Sequence, residues 1–303
     1  MPPLPEFALK IAGRNAAASL QRVIASAEVD ARRGHPASFA LRLEFKSQSE
    51  FLESVDDVVG KTLALGTEIE VLRATSRTRT SILKGIVDAV GLDLDSISSG
   101  HPPGIIIRGY DKAHLLTREE KSRVFEESRP SEVAAQIAQE HGLRSAVDTS
   151  PVSAYLMQSG ETDWDFLIRL AERIGFDVFV AGDQLHFQTA GKRARPKLTW
   201  GRGLVEFQPS ITHSRQIVDV TVRGWDPISK QVVEGKGATG AVGAGGQGLQ
   251  ISDRIVRTTE EAQGLAQSIA DGIDRTARAG RGLLQPGKPA IMPGATADVG
   301  GIG

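Results

Sequence analysis

The sequence predicts a β-rich α+β fold in which an α+β insertion separates two β regions. Three observations predict it: apolar and polar residues alternate with period two in the first third, the middle third changes to helical periodicity, and the last third returns to alternation before one long amphipathic helix. The 303 residues are enough for about two domains with a sizeable core. We place the predicted boundaries at 1–108, 109–200 and 201–303.

The first predicted domain consists of strands. The strand near residues 38–46 has one apolar face, made of Phe39, Leu41, Leu43 and Phe45. Ile69 and Val71 continue the alternation in a second strand, and residues 104–110 form another short one. Gly85 interrupts a strand-like stretch at 81–94, and a glycine at such a place predicts a bulge or a bend, as in a small barrel.

The middle domain is predicted to hold two helices and a hairpin. The first helix follows Ser131 as its N-cap and ends at Gly142. Its apolar face consists of Val133, Ala134, Ile137 and Ala138. The second helix begins after Thr162, and a hairpin then turns at Ala181-Gly182-Asp183.

The last domain returns to strands and adds a helix. Val218, Val220 and Val222 alternate with polar residues in a predicted strand. The glycine-rich stretch 235–248 predicts a mobile loop. A long helix over 258–280 follows, with Thr258 and Glu261 at the spacing of a capping box and Gly280 at its end. Its apolar stripe contains Leu265, Ala266, Ile269 and Ile273.

Three carboxylates, Glu161, Asp163 and Asp165, lie within five residues and could form a metal site or an acid/base pair. The alternative is that they begin a helix, because acids in a first turn interact favourably with the helix dipole by ~0.3–1 kcal/mol each. Thr162 stands at the N-cap, and Arg169 and Arg173 follow at helical spacing. No histidine or second acidic cluster lies nearby in sequence, so the pattern favours the helix start.

Other chemistry has little support in the sequence. Net charge is −1 and aromatic residues are 5%, so we expect no nucleic-acid specificity. There is no cysteine, the histidines at 35, 101, 114, 141, 186 and 213 are dispersed, and no stretch is long and apolar enough for a membrane span. The G-x-G-x-x-G at 235–240 is not followed by a helix-forming stretch. We therefore expect no catalytic, cofactor-binding or metal-binding residue. The basic stretch 191–197 is either a linker or a contact for an acidic partner.

Four stretches, in order, resemble the hub proteins of contractile injection machines. They are Val29–Phe45, Leu83–Val90, Ile105–Leu143 and Gln158–Val180. The family includes the phage late-control protein D, the central baseplate hub of contractile phages, and the VgrG-like N-terminal hub part of type VI and extracellular contractile injection system spike proteins. The residues that carry the resemblance as a structural signature are Gly85, Arg108, Gly109, Tyr110, Asp111, Thr162, Asp163, Trp164, Asp165, Phe166 and Leu167.

The resemblance implies two barrel-like tube domains with the α+β insertion between them. It implies a structural homotrimer that adapts a hexameric tail tube protein to a three-fold spike or spike-tip protein and contacts baseplate wedge proteins. Such a protein is assembled in the bacterial cytoplasm as part of a phage tail or injection particle. A spike extension follows in some members, near where this sequence ends, so it was either removed or is a separate protein. The alternative function is a cell-wall-degrading or peptidoglycan-binding tail component, with Glu161, Asp163 or Asp165 as the acid/base group in the former.

Overall fold

The computed structural model describes residues 6–74, 79–94, 103–150, 153–192, 196–211, 217–240, 246–252, 254–284 and 291–301. These residues form a β-rich α+β fold with nineteen strands and five α-helices, which confirms the predicted class. The chain divides into two compact units. Unit 1 comprises residues 1–118, 179–185 and 289–293, and unit 2 comprises 119–178, 186–288 and 294–303. The division into three domains stays a prediction.

Unit 1 is built on one antiparallel sheet of seven strands, in the order β2-β1-β5-β6-β7-β4-β3. Its strands are β1 (Glu6–Ile11), β2 (Arg14–Asn15), β3 (Ile24–Asp30), β4 (Ser38–Glu44), β5 (Glu68–Ala74), β6 (Arg79–Asp93) and β7 (Gly104–Asp111). The helices are α1 (Ala18–Val23) and α2 (Gln48–Asp57), with a π-helical turn (Val58–Thr62) and a 3₁₀ helix (Lys112–Thr117).

The core of unit 1 lies on the predicted apolar face. Phe39, Leu41 and Leu43 of β4 are buried together with Ile69 and Val71 of β5, as the alternation predicts. The sheet stays open among the described residues, because β2 and β3 at its two ends are not paired with each other. The predicted barrel-like closure is therefore not confirmed.

Gly85 lies in β6, and of the bulge or bend predicted there, the bulge does not fall at this residue. The register shifts instead three residues to either side, opposite Val71/Leu72 and between Val87 and Ala89. Gly85 itself is paired on both sides, and a Cβ at this position would collide with the carbonyl oxygen of Tyr110. The residue is glycine because β7 passes too close for any side chain.

The strands after residue 119 form four smaller sheets, ordered β10-β8, β11-β12-β9, β18-β14-β13-β19 and β16-β15-β17. The strands are β8 (Glu120–Ser128), β9 (Arg144–Val147), β10 (Ser153–Thr162), β11 (Phe176–Ala181), β12 (Gln184–Thr189), β13 (Lys197–Trp200), β14 (Gly203–Ile211), β15 (Ile217–Asp226), β16 (Gln231–Ala238), β17 (Gln247–Ile251), β18 (Arg278–Leu284) and β19 (Asp298–Gly300). The helices are α3 (Pro130–Glu140), α4 (Asp163–Ile174) and α5 (Thr259–Ala277). The hairpin predicted to turn at residues 181–183 is confirmed as β11–β12.

The start of α3 differs from the prediction. Ser131 is not the N-cap, since α3 begins at Pro130 and the backbone N–H of Arg129 donates to Glu132 at 3.0 Å. Proline is favoured at a first helical position because no intrahelical partner exists there for an N–H. The Ser131 hydroxyl instead pairs with that of Ser150 at 3.1 Å. Gly142 follows the helix at φ 66°, which confirms the predicted end.

Both ends of the glycine-rich stretch 235–248 are strand, so the prediction of a loop beginning at residue 235 is wrong. Residues 235–238 belong to β16 and 247–248 to β17, while residues 241–245 lie outside the described part of the chain. Gly235 and Gly237 face α5, and a Cβ on either would meet the helix backbone. These glycines allow helix and sheet to pack at contact distance.

Helix α5 confirms its predicted start and corrects its predicted end. Thr258 accepts a hydrogen bond from the N–H of Glu261 at 3.1 Å, as expected of an N-cap. Gly280, however, does not terminate the helix. It lies in β18, paired with Pro209 and close to the ring of Phe207. The predicted stripe is confirmed, since Leu265 and Ala266 are buried and Ile269 and Ile273 pack against the same core.

Candidate functional site

Asp163 is the central residue of a buried side-chain cluster in unit 2. It is the first residue of α4, and only 1% of it is exposed. Lys121 Nζ of β8 and His141 Nε2, just after α3, both lie 2.8 Å from Asp163 Oδ2. Arg123 of β8 forms an ion pair with Oδ1, which also accepts from Gln158 Nε2 of β10 at 3.1 Å. The cluster therefore joins four segments of the unit at one carboxylate.

The electrostatics of this cluster favour a charged carboxylate. Burial alone would raise the pKa of Asp163, but hydrogen bonds from His141, Lys121 and Gln158 and the charge of Arg123 outweigh it, so this pKa lies below its usual value. A general acid needs a pKa near the working pH, and a general base needs a free lone pair within reach of a substrate. Asp163 meets neither requirement, because four donors occupy it and it is buried.

The other two acids have separate partners. Glu161 Oε2 accepts from Arg169 Nε at 3.2 Å, whereas the sequence spacing pairs Arg169 with Asp165. Asp165 is exposed; its N–H donates to Thr162 Oγ1 at 3.1 Å, and its carboxylate accepts from the same hydroxyl at 2.6 Å. The predicted N-cap at Thr162 is thus confirmed. The three acids do not converge on one point, so they do not form an acid/base pair.

The remaining signature residues of α4 lie on its buried face. Trp164, Phe166 and Leu167 are each at most 3% exposed. The Phe166 ring stacks on Phe125 of β8 with the two centroids 5.9 Å apart, and the Arg169 guanidinium carbon lies 5.1 Å from the Phe166 centroid. The contact between Phe166 and Phe125 packs α4 against β8.

The Arg108–Asp111 part of the signature ends β7 in unit 1. Arg108 is exposed, Gly109 packs against the Phe39 ring, and Tyr110 stacks on His114 with centroids 4.6 Å apart. Asp111 is buried and accepts from the N–H of Ala113 at 3.0 Å, which caps the 3₁₀ helix. Burial raises the pKa of Asp111 to about 7, against two backbone N–H donors that lower it.

Within the described part of the chain, no group of three or more histidine, cysteine, aspartate or glutamate side chains could hold a metal ion. His101 and His213 lie outside the described residues, as do residues 193–195 of the basic stretch. No described helix is long and apolar enough to cross a membrane.

Sequence reasoning missed Lys121, Arg123 and His141 as partners of Asp163. A signal for the first two exists, because residues 121 and 123 of a strand point to the same face. Nothing in the sequence indicates that this face meets the start of a helix some forty residues later. His141 lies 22 residues before Asp163 and has no local signal at all.

One apolar cavity of about 290 Å³ opens in unit 2 beside the start of α5. Leu156, Leu170 and Phe176 form its apolar part, and Arg173 and Glu261 are among its charged lining. Arg173 donates to the backbone oxygen of Ile255 at 2.6 Å. The cavity has room for an apolar group, but its polar atoms do not converge in a pattern that indicates a substrate.

Large apolar side chains are exposed on the β15–β16 hairpin. Trp225 and Val232 face each other across the two strands and are 55% and 63% exposed. Ile228, in the turn between them, is 89% exposed. Asp226 holds this turn by accepting from the N–H of Ile228 at 2.9 Å. Exposed apolar groups gathered in one place are typical of surfaces that contact other proteins.

A family model described as the Alg8 N-terminal domain matches residues 13–303. The chain belongs to this family. Because the match extends over almost the whole sequence, both units of the structure are parts of an Alg8 N-terminal domain. No curated protein matches the sequence.

The Alg8 N-terminal domain has the fold of several solved tail proteins. It is similar to the tail protein from Neisseria meningitidis MC58, with a TM-score of 0.69 and 14% identity over 98% of this chain and 86% of that one. The 43 kDa tail protein of prophage MuSo2 from Shewanella oneidensis matches with a TM-score of 0.66 and 16% identity, over 91% of this chain and 81% of that one. Prophage tail protein gp18 from Listeria monocytogenes EGD-e matches with a TM-score of 0.54 and 8% identity, over 85% of this chain and 76% of that one. The chain therefore shares a fold with tail proteins, whereas the family model that matches it differs from the predicted hub family.

Proposed function

We propose that this Alg8 N-terminal domain is a structural component of a phage tail or contractile injection machine. The observation that carries the proposal is the fold, which matches a tail protein over 98% of the chain with a TM-score of 0.69. A fold alone does not determine function. Two further features agree with a structural role: Asp163 is engaged by four neighbouring side chains, and the β15–β16 hairpin exposes an apolar surface.

More specifically, we propose the baseplate hub. In this position three copies form a ring that adapts the hexameric tail tube protein to the three-fold spike or spike-tip protein, next to the baseplate wedge proteins. The four ordered sequence motifs support the hub, and each predicted tube domain then supplies part of the ring. The proposal assigns no catalytic, cofactor-binding or metal-binding residue. Such a ring works by burying surface between identical subunits.

Native mass measurement tests the hub. The isolated chain and the assembled particle are measured separately, and we expect a species of three times the chain mass in the particle. The variant Ile228→Ser, which removes an exposed apolar side chain of the β15–β16 hairpin, is measured in the same way. It should leave the fold intact, and its native mass reports whether this hairpin takes part in assembly. A chain that is strictly monomeric in both samples rules out the trimeric hub.

A murein hydrolysis assay separates the hub from the cell-wall-degrading alternative. We expect no turnover, and we expect Asp163→Asn to change stability only. A measurable rate that Asp163→Asn abolishes without unfolding the chain would establish the enzyme and refute the structural proposal.

A further inference from the structure

Four charged side chains of unit 1 form a closed ring of alternating sign, called here the charge square: Glu68, Lys84, Asp183 and Lys112. Lys84 Nζ lies 3.0 Å from Glu68 Oε1 and 2.6 Å from Asp183 Oδ2. Lys112 Nζ lies 3.2 Å from Glu68 Oε2 and also pairs with Asp183 Oδ1. Each lysine therefore contacts both acids, and each acid contacts both lysines.

Three residues of the charge square lie in strands or in the 3₁₀ helix, and the fourth, Asp183, lies in a turn. Glu68 begins β5, Lys84 lies in β6, and Lys112 begins the 3₁₀ helix. Asp183 lies in the two-residue turn between β11 and β12, 71 residues after Lys112. It follows Gly182, whose φ of 61° suits a tight hairpin turn. The square thus attaches the turn to the seven-stranded sheet.

The charges in the square stabilise one another. Asp183 accepts hydrogen bonds from Lys112 and Lys84, and these hydrogen bonds lower the pKa of Asp183. The hydrogen bond with Asp183 in turn raises the pKa of Lys84. The four side chains nevertheless keep 21–39% of their surface exposed. Water and salt ions therefore reach them, and attraction between partly exposed charges weakens as ionic strength rises.

Apolar residues flank the turn that the square holds. Val180 is 8% exposed and Leu185 is fully buried.

We propose that the charge square is an ionic latch that keeps the β11–β12 turn closed on the sheet of unit 1 at low ionic strength and lets it open as salt rises. The latch is independent of the proposed function, because it concerns local opening of one turn.

Hydrogen exchange of the whole chain tests the latch. The readout is the peptide covering residues 176–189, measured at about 0.05 M and about 1 M NaCl, where the screening length falls from above 10 Å to about 3 Å. We expect its exchange to rise by about fivefold at high salt. A peptide from the central strand β4 corrects for the effect of salt on exchange itself.

Variants separate the latch from a general loss of stability. Asp183→Asn should raise exchange of the peptide at low salt and remove its salt dependence, while Asp183→Glu keeps the charge and should keep the response. Lys84→Met should give an intermediate effect because Lys112 remains. Glu234→Gln, which breaks a surface ion pair with Arg223 in unit 2, is the matched control and should leave the peptide unchanged. Equal exchange of wild type at both salt concentrations, or no effect of Asp183→Asn, would overturn the latch.

Discussion

Asp163 shows how a residue that resembles a catalytic acid serves the fold instead. Its carboxylate is buried, and donors from β8, β10 and the end of α3 meet on it. Asp163 is also the first residue of α4, where the helix dipole favours a negative charge. One side chain thereby fixes both the position of a helix and the packing of the sheet beside it.

Replacing Asp163 tests this role. Asp163→Asn leaves Lys121 and Arg123 without their shared carboxylate, and we expect the free energy of unfolding to fall by about 2–4 kcal/mol. Asp165→Asn, two residues later and exposed, is the matched control and should cost less than about 1 kcal/mol. Urea denaturation at neutral pH measures both. Equal losses in the two variants would show that the cluster adds nothing beyond helix capping.

Asp111 has the opposite electrostatic behaviour. Its pKa rises to about 7 in the fold from a usual value of 3.8, so the folded state binds the extra proton between these values. The stabilisation is fully present below about 3.8 and is lost as pH rises through about 7. At 1.36 kcal/mol per pH unit, the difference between 3.8 and about 7 corresponds to about 4 kcal/mol.

This behaviour predicts a specific pH dependence. Wild type should lose stability relative to Asp111→Asn as pH is raised from about 4 to 8, because asparagine has no proton to release. The measurement is urea unfolding of both chains across this range. Parallel curves for the two chains would contradict the raised pKa.

At this scale the sequence predicted local roles well and distant partners poorly. Thr162 as N-cap follows from spacing within one turn, and the structure confirms it. The contact of His141 with Asp163 depends on how α3 and α4 are packed together, which no local pattern encodes. That these signature residues together mark a hub protein stays a prediction.

At the scale of elements, the fit of α5 on β16 depends on two glycines. Gly235 and Gly237 lie where the backbone of α5 passes, at Ala262 and Ala266. The buried alanines and the glycines remove side-chain volume from both surfaces, so that the helix and the strand approach closely.

Adding one methyl group tests this fit. Gly235→Ala should lower the free energy of unfolding by about 2–3 kcal/mol, because its Cβ would overlap the α5 backbone, which cannot move aside as a side chain can. Gly264→Ala, within α5, has no atom within 4 Å of the new Cβ and should instead raise stability by about 0.5–1 kcal/mol. Thermal unfolding measures both, and a neutral Gly235→Ala would show that helix and strand are loosely packed.

The same glycines explain why one element was predicted wrongly. Glycine is depleted in strands and common in loops, so the composition of 235–248 favours a loop. The strand forms because its glycines pack against the backbone of α5. Helix α5 begins more than twenty residues later in the chain, so the local composition does not indicate it. Elements with strict alternation, such as β4 and β15, were predicted correctly because their own residues determine the buried face.

At the scale of the whole molecule, the seven-stranded sheet has an open edge. β3 pairs with β4 on one side and is the last strand of the sheet among the described residues. Unpaired N–H and C=O groups along a strand edge favour pairing with another chain. If three copies assemble as proposed, the edge of β3 is a second surface, besides the β15–β16 hairpin, that could join them.

Hydrogen exchange during assembly tests this idea. The backbone amides of residues 24–30 that point away from β4 should exchange more slowly in the trimeric species than in the monomer, because a neighbouring copy would then accept their hydrogen bonds. Amides of the central strand β6 are the control and should be equally protected in both, since β5 and β7 already flank that strand. Equal exchange of residues 24–30 in trimer and monomer would show that the edge of β3 is not a subunit contact, and the interface would then have to be sought at the exposed apolar residues of the β15–β16 hairpin.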